Sequence, residues 1–271
     1  PVDLVLPVAN VEDFEWYEGM LVEFPQPLVI SEYFNFDRFN EVVLSQPLPG
    51  EEFLHQPTAI EEPGSPEAAA RAAYNLRSRI TLDDARSQQN PDPTYHPNGQ
   101  EFTLDNRFRG GDHLQDVTGI LDDRFGLYRI QPTEGATYIP QNPRPAEPAP
   151  VGGSLTVASF NVLNYFLTID AGPDVCGPNQ DQDCRGADSV EEFERQRAKI
   201  LDALLKIDAD IYGLIEMENT PGVEPLADIV DGLNDVLGAG TYDYIDTGVI
   251  GPDAIRQGII YKPGTVTPLG A

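Results

Sequence analysis

The stretch GLIEMEN, residues 213–219, sets Glu216, Glu218 and Asn219 directly after an apolar run, where three side chains that resist burial close a segment patterned as a buried strand. A second apolar run, LTVASF, is followed by Asn161, 55 positions before Glu216. A carboxylate is an anionic oxygen ligand suited to a hard divalent cation. A carboxamide offers a carbonyl oxygen and an NH₂ that can hold a metal-bound water or a phosphoryl oxygen. Brought together, Asn161 and Glu216 form half of a metal-assisted phosphoryl site. Taken one at a time, each is only a polar residue opening a loop.

The elements around these residues decide between the two readings. LTVASF (155–160) and DIYGLI (210–215) have strand patterns, and SVEEFERQRAKILDALLKI between them has a helical one. Its Ser189 and Glu192 make a capping box, and Phe193, Ile200, Leu204 and Ile207 fall along one face. A strand, helix, strand crossover makes the two strands parallel neighbours, so their carboxyl ends share the sheet edge where open α/β sheets place ligands. A helix over LADIVDGLNDVL and strands YDYID (242–246) and GIIYK (258–262) follow.

Upstream, PQNPRPAEPAPVGG carries five prolines and no apolar periodicity, marking a linker over residues 140–154 between a module at 1–139 and a second one at 155–271. The first module is mainly β: MLVEF, LVISEYF, EVVLS, RITLD, DVTGILD and FGLYRI read as strands. SPEAAARAAYNLRSR is its one good helix, with Ser65 as N-cap and Pro66 in the first turn.

The chain has 45 acidic and 17 basic residues, a net charge of -28, with the excess in both halves. That argues against a general basic surface for nucleic acid; with only 3 Lys against 14 Arg, it suits a surface kept soluble in a salty medium. No apolar run approaches the roughly 20 residues that cross a bilayer. Cys176 and Cys184, eight positions apart in a polar Gly- and Pro-containing loop, suit a local disulfide in an oxidising compartment better than a zinc site; the alternative is two free thiols. Asp174, Asn179, Asp181 and Asp183 in the same loop are oxygen donors for calcium or, more simply, a solvated acidic loop.

VASFNVLNYF together with DADIYGLIEMEN resembles the first two motifs of the endonuclease/exonuclease/phosphatase superfamily, the deoxyribonuclease-I-like fold. CRGADS, EFERQRAKI and GIIYKP follow the order found in secreted bacterial nucleases of that superfamily, so that five motifs fall in order over residues 155–263. The resemblance implies the first part of an α/β nuclease domain, secreted or periplasmic, hydrolysing phosphodiester bonds of DNA or RNA with Mg²⁺ or Mn²⁺. Its nucleic-acid substrate is the implied partner, with no membrane or protein partner. Asn161 matches the residue that positions scissile phosphate and metal, and Glu216 the metal-binding Glu. Glu218 and Asn219 match residues that orient these, and Arg256 a basic residue facing phosphate or solvent. A bound dication would draw a phosphate to an otherwise acidic surface.

The family's later motifs, including the general-base His, have no counterpart before Ala271, and His55, His96 and His113 all precede the linker. The expectation is therefore a piece of a longer nuclease with an incomplete site. The first module resembles the β region preceding the catalytic domain in the same nucleases, an oligonucleotide-binding-like barrel, in which Tyr33, Phe34, Phe36 and Phe39 stack bases or fill the core. Two other readings stand beside this one: another phosphodiesterase or phosphatase of the superfamily, and a non-catalytic β-rich binding module.

Overall fold

Between Ile139 and Val157 the prolines leave the chain without strand or helix. The computed structural model describes residues 1–270, and the chain divides inside this stretch, at Arg144/Pro145, into two units.

The first unit is mainly β. Strands β1 (Val2–Asp3), β2 (Leu21–Glu23), β3 (Leu28–Glu32), β4 (Val42–Ser45), β5 (Arg79–Leu82), β6 (His113–Gln115), β7 (Thr118–Arg124), β8 (Leu127–Pro132) and β9 (Thr137–Ile139) form one sheet, in the order β1-β2-β7-β8-β5-β4-β3-β6-β9. Pairing is parallel at β1/β2 and β5/β8 and antiparallel elsewhere. Alternating apolar residues such as Val22, Leu28, Ile30, Leu44, Ile80, Leu121 and Ile130 meet in one core. Helices α1 (Phe36–Phe39) and α2 (Pro57–Ile60) are single turns, while α3 (Pro66–Arg77) starts as its sequence requires, Ser65 Oγ accepting from the Ala68 N–H at 3.0 Å. The sequence pattern missed β1, β6, β9, the single turns α1 and α2 and a 3₁₀ helix at Val11–Tyr17, all too short for a periodic signal. Of the four aromatics, Phe36 packs edge-to-face on Phe102 and Phe108 at 4.9 Å, whereas Tyr33 and Phe34 are exposed.

The second unit contains β10 (Val157–Tyr165), α4 (Val190–Ile207), β11 (Ile211–Glu218), α5 (Glu224–Leu237), β12 (Asp243–Tyr244) and β13 (Ile255–Tyr261). Its sheet runs β10-β11-β13-β12, with β10 and β11 parallel and the other pairs antiparallel. The apolar stripes of both helices, Ile200 and Leu204 on one and Leu226, Ile229 and Leu233 on the other, share a core with Val162, Tyr212, Leu214 and Ile260. Burial of a single Leu of this kind contributes about 1.5–3 kcal/mol, so the helices hold the sheet by one face. On the opposite face Val157 and Ile259 stay exposed, and Asn161 stands two steps along from Ser159 on that same open side. Among the described residues no helix is long and apolar enough to cross a membrane.

Candidate functional site

Both apolar runs continue as strands past their expected ends, β10 through Asn161 to Tyr165 and β11 through Glu216 to Glu218. Continuation is possible because both strands bulge there. Opposite β13, Leu214 pairs with Gly258 and Met217 with Arg256, so β11 carries one extra residue. Opposite β11, Asn161 pairs with Ile215 and Tyr165 with Met217, so β10 carries two. The extra residues take left-handed backbone: Leu163 at φ 54°, Asn164 at φ 52° and Glu216 at φ 68°. Strict alternation would send Glu216 into the core behind Tyr212 and Leu214. The bulge seats Met217 there instead and leaves the Glu216 carboxylate half-buried at the rim. Left-handed backbone costs a non-glycine residue roughly 1–2 kcal/mol, a cost that recurs at functional sites.

The result is a contact. Asn161 Nδ2 donates to Glu216 Oε1 at 2.7 Å, and the Asn164 N–H donates to Glu216 Oε2 at 3.2 Å. Asn161 is held from its other end, its Oδ1 accepting from the Leu163 N–H at 2.7 Å. At the strands' opposite ends Asp210 Oδ2 accepts from Thr156 N–H and Oγ1 at 2.8 and 2.9 Å, and the Thr156 N–H in particular holds this carboxyl below its ordinary range. Register is thereby tied at both ends of the β10/β11 pair.

Glu218 and Asn219 are buried and brace the surroundings. Glu218 accepts from Leu167 N–H (2.8 Å), Thr168 N–H (3.2 Å) and Thr168 Oγ1 (2.6 Å), which fastens the segment leaving β10. Asn219 Nδ2 donates to the Ile250 and Asp253 carbonyls at 2.9 and 2.8 Å, shaping the loop before β13. Arg256 departs from expectation. It is 1% exposed, donates to the Gly222 carbonyl at 2.7 Å and to the Gly248 carbonyl, and so presents no guanidinium edge to a ligand. Burial pushes its pKa down. A long side chain entering the covered face beside Met217 binds loops, not phosphate.

Basic side chains missed in the sequence lie elsewhere. A cleft of about 580 Å³ runs between the free edge of β10 and α4, lined by Asn161, Leu163, Asn164, Arg185, Arg195 and Lys199 among others. Arg195 and Lys199 are four apart in EFERQRAKI, so helical spacing already put them on one face. Which face met Asn161 was not readable. Gln196 Nε2 docks that face on β10 by donating to the Val162 and Leu163 carbonyls at 3.1 and 2.6 Å.

Cys176 and Cys184 are bridged, and with Phe166 and Ala254 they form a small separate core. Asp174, Asp181 and Asp183 do not gather into a cation cage; among the described residues no three His, Cys, Asp or Glu side chains do. His55, His96 and His113 all belong to the first unit.

A family model described as a domain of unknown function (DUF8508) matches residues 10–142, within the first unit and short of every site residue above. Comparison with curated proteins returns no match, and comparison with solved structures returns none either.

Proposed function

We propose that the second unit serves a secreted, divalent-metal-dependent nuclease that hydrolyses phosphodiester bonds of DNA or RNA. The observation that carries the reading is the 2.7 Å contact between Asn161 and Glu216, 55 residues apart in sequence, on bulged ends of adjacent parallel strands. The backbone is strained at three residues to build it.

The donor set fits Mg²⁺ or Mn²⁺. Mg²⁺ is held by one or two carboxylates, waters and substrate phosphate, not by an all-protein cage, and Glu216 provides one carboxylate whose oxygens retain lone pairs beyond the two N–H contacts. When bound, the metal supplies charge neutralisation at the phosphoryl and leaving oxygens. The chain's own part is orientation. Asn161 and the Asn164 N–H fix the carboxylate's rotamer, and Glu218 fixes the segment that follows Asn164. The disulfide is compatible with an oxidising, extracellular setting. For the first unit we keep an oligonucleotide-binding-like barrel as the proposed architecture, supported by its single large, mostly antiparallel sheet and by exposed Tyr33 and Phe34.

The test pairs binding with cleavage. Mn²⁺ binding followed by electron paramagnetic resonance should weaken at least tenfold in Glu216→Gln, and any cleavage of plasmid DNA or RNA should fall with it and with chelator. Glu216→Gln binding Mn²⁺ as tightly as the unmodified protein sinks the reading.

A further inference from the structure

The second unit has seven basic side chains among its described residues, and five are already committed. Arg185 pairs with Asp253 at 2.9 Å, Arg197 with Asp228 at 2.7 Å, Lys206 with Asp202 at 2.9 Å and Lys262 with Asp208 at 2.7 Å. Arg256 is enclosed by carbonyls. Arg195 and Lys199 remain, exposed and without an ion pair within 4.0 Å among the described residues. Glu191 stands four residues before Arg195, the spacing at which helical ion pairs form, yet no pair forms. Among the described residues of the second unit, Arg195 and Lys199 are thus the two cations left exposed and unpaired, and they stand one turn apart on α4.

Their placement suggests a purpose. Both line the cleft whose other wall includes Asn161 and Asn164, the two residues that touch Glu216. The acidic group in that lining, Glu192, is turned to its own helix start, where its Oε2 accepts from the Asp188 N–H at 3.2 Å. Arg195 and Lys199 are separated by about 6 Å along the helix axis at 1.5 Å per residue, so each can take one of two successive phosphates of a single strand.

Resting on the nuclease reading and extending it, we propose that Arg195 and Lys199 form a rail for the sugar-phosphate backbone of a polynucleotide, holding two successive phosphates to one side of the one presented to Asn161 and Glu216. Neither side chain touches the reacting phosphate. They are positioning residues, and they supply the local positive field that the rest of the surface denies to nucleic acid.

The experiment measures binding of a fluorescein-labelled oligothymidylate of about 20 nucleotides, longer than a typical single-strand site, by anisotropy across a salt series with chelator present to suppress cleavage. Each phosphate contact on a single strand contributes about 0.7 to the slope of log affinity against log salt. Arg195→Ala/Lys199→Ala should therefore lower the slope by about 1.4, and native affinity should fall about sevenfold more than the variant's between roughly 50 and 200 mM salt. Arg195→Lys should keep the native slope. Glu216→Gln should keep it too, so loss of the nuclease reading leaves this result standing, and an unchanged slope in the double variant defeats the rail without touching the role of Glu216. Absence of binding by the native chain at low salt overturns the proposal. So does equal competition, per phosphate, by methyl phosphate or phosphatidylglycerol vesicles, which would mark a single-phosphate or headgroup site.

Discussion

Glu218→Ala is expected to destabilise the second unit by about 3–4 kcal/mol, against about 1 kcal/mol or less for Glu216→Ala two residues away. Glu218 is 1% exposed and takes hydrogen bonds from Leu167 N–H, Thr168 N–H and Thr168 Oγ1 at 2.8, 3.2 and 2.6 Å. Leu167 and Thr168 are only half-buried, so water can replace part of each bond. That sets the loss near the low end, about 1 kcal/mol per orphaned donor, with a further contribution from the cavity. Glu216 also accepts two bonds, but one comes from the exposed Asn161 and the other spans 3.2 Å, and truncation does not open the core. Glu218→Gln should cost only about 1 kcal/mol. Its remaining oxygen can face the two backbone N–H groups while its amide donates to a rotated Thr168 hydroxyl. Urea unfolding followed by far-UV circular dichroism reads the free energies. The sole tryptophan, Trp16, lies in the first unit and would not report them. Amide exchange at Leu167 and Thr168 supplies the local readout and should accelerate in Glu218→Ala alone. If that variant unfolds within about 0.5 kcal/mol of the unmodified chain, a shift typical of an unconstrained surface site, and those two amides keep their protection, the bracing role assigned to Glu218 is wrong.

Two further outcomes follow from groups outside the site. His96 is 1% exposed with its Nδ1 accepting from the Asn98 N–H at 3.0 Å, and burial holds its pKa down to about 4. The neutral folded form is therefore favoured: the contribution is complete above the unfolded value near 6.5 and is lost as pH falls from there toward 4, on the order of 3 kcal/mol in all. Urea titrations of the native chain between neutral and acidic pH should show this loss, and His96→Gln should flatten that limb. Replacing Cys176 and Cys184 together by Ser should cost about 2.5 kcal/mol from the loop entropy of eight intervening bonds in sequence. Thermal unfolding of the native chain with reductant should approach that of the double variant, and coincidence of the native and double-variant melting curves without reductant would rule the stabilisation out.

Legibility followed the range of each interaction. The caps at Ser65 and Ser189 could be read because donor and acceptor sit three residues apart, and both form, to Ala68 N–H and Glu192 N–H. One detail moved: Glu192 reaches back to the Asp188 N–H and not to Ser189. The mainly-β character of the first unit, the helix between the two parallel strands and the proline-rich division were legible for the same reason, since periodicity and proline chemistry act within a few residues. Asn161 and Glu216 were nominated by residue type and by position at strand ends, which a single crossover carries to one edge.

The rest was decided between segments. No local pattern announces that β11 will hold an extra residue against β13, yet that bulge takes Glu216 out of the core and puts Met217 in. Arg256 has a basic side chain and a loop-like neighbourhood in sequence, but pairing with Met217 turns it inward, where it donates to the Gly222 carbonyl, 34 residues away, and to the Gly248 carbonyl in the loop just before β13. Arg195 and Lys199 shared a helix face by spacing alone. Their place in one cleft with Asn161 came from Gln196 docking α4 on β10. Residue types and local patterns were enough to mark which residues were capable of the chemistry and which elements carried them, because conformational preference and hydrophobic period are local. Which of those side chains face one another was left to tertiary structure, because bulge register and helix docking depend on partners far away in the chain.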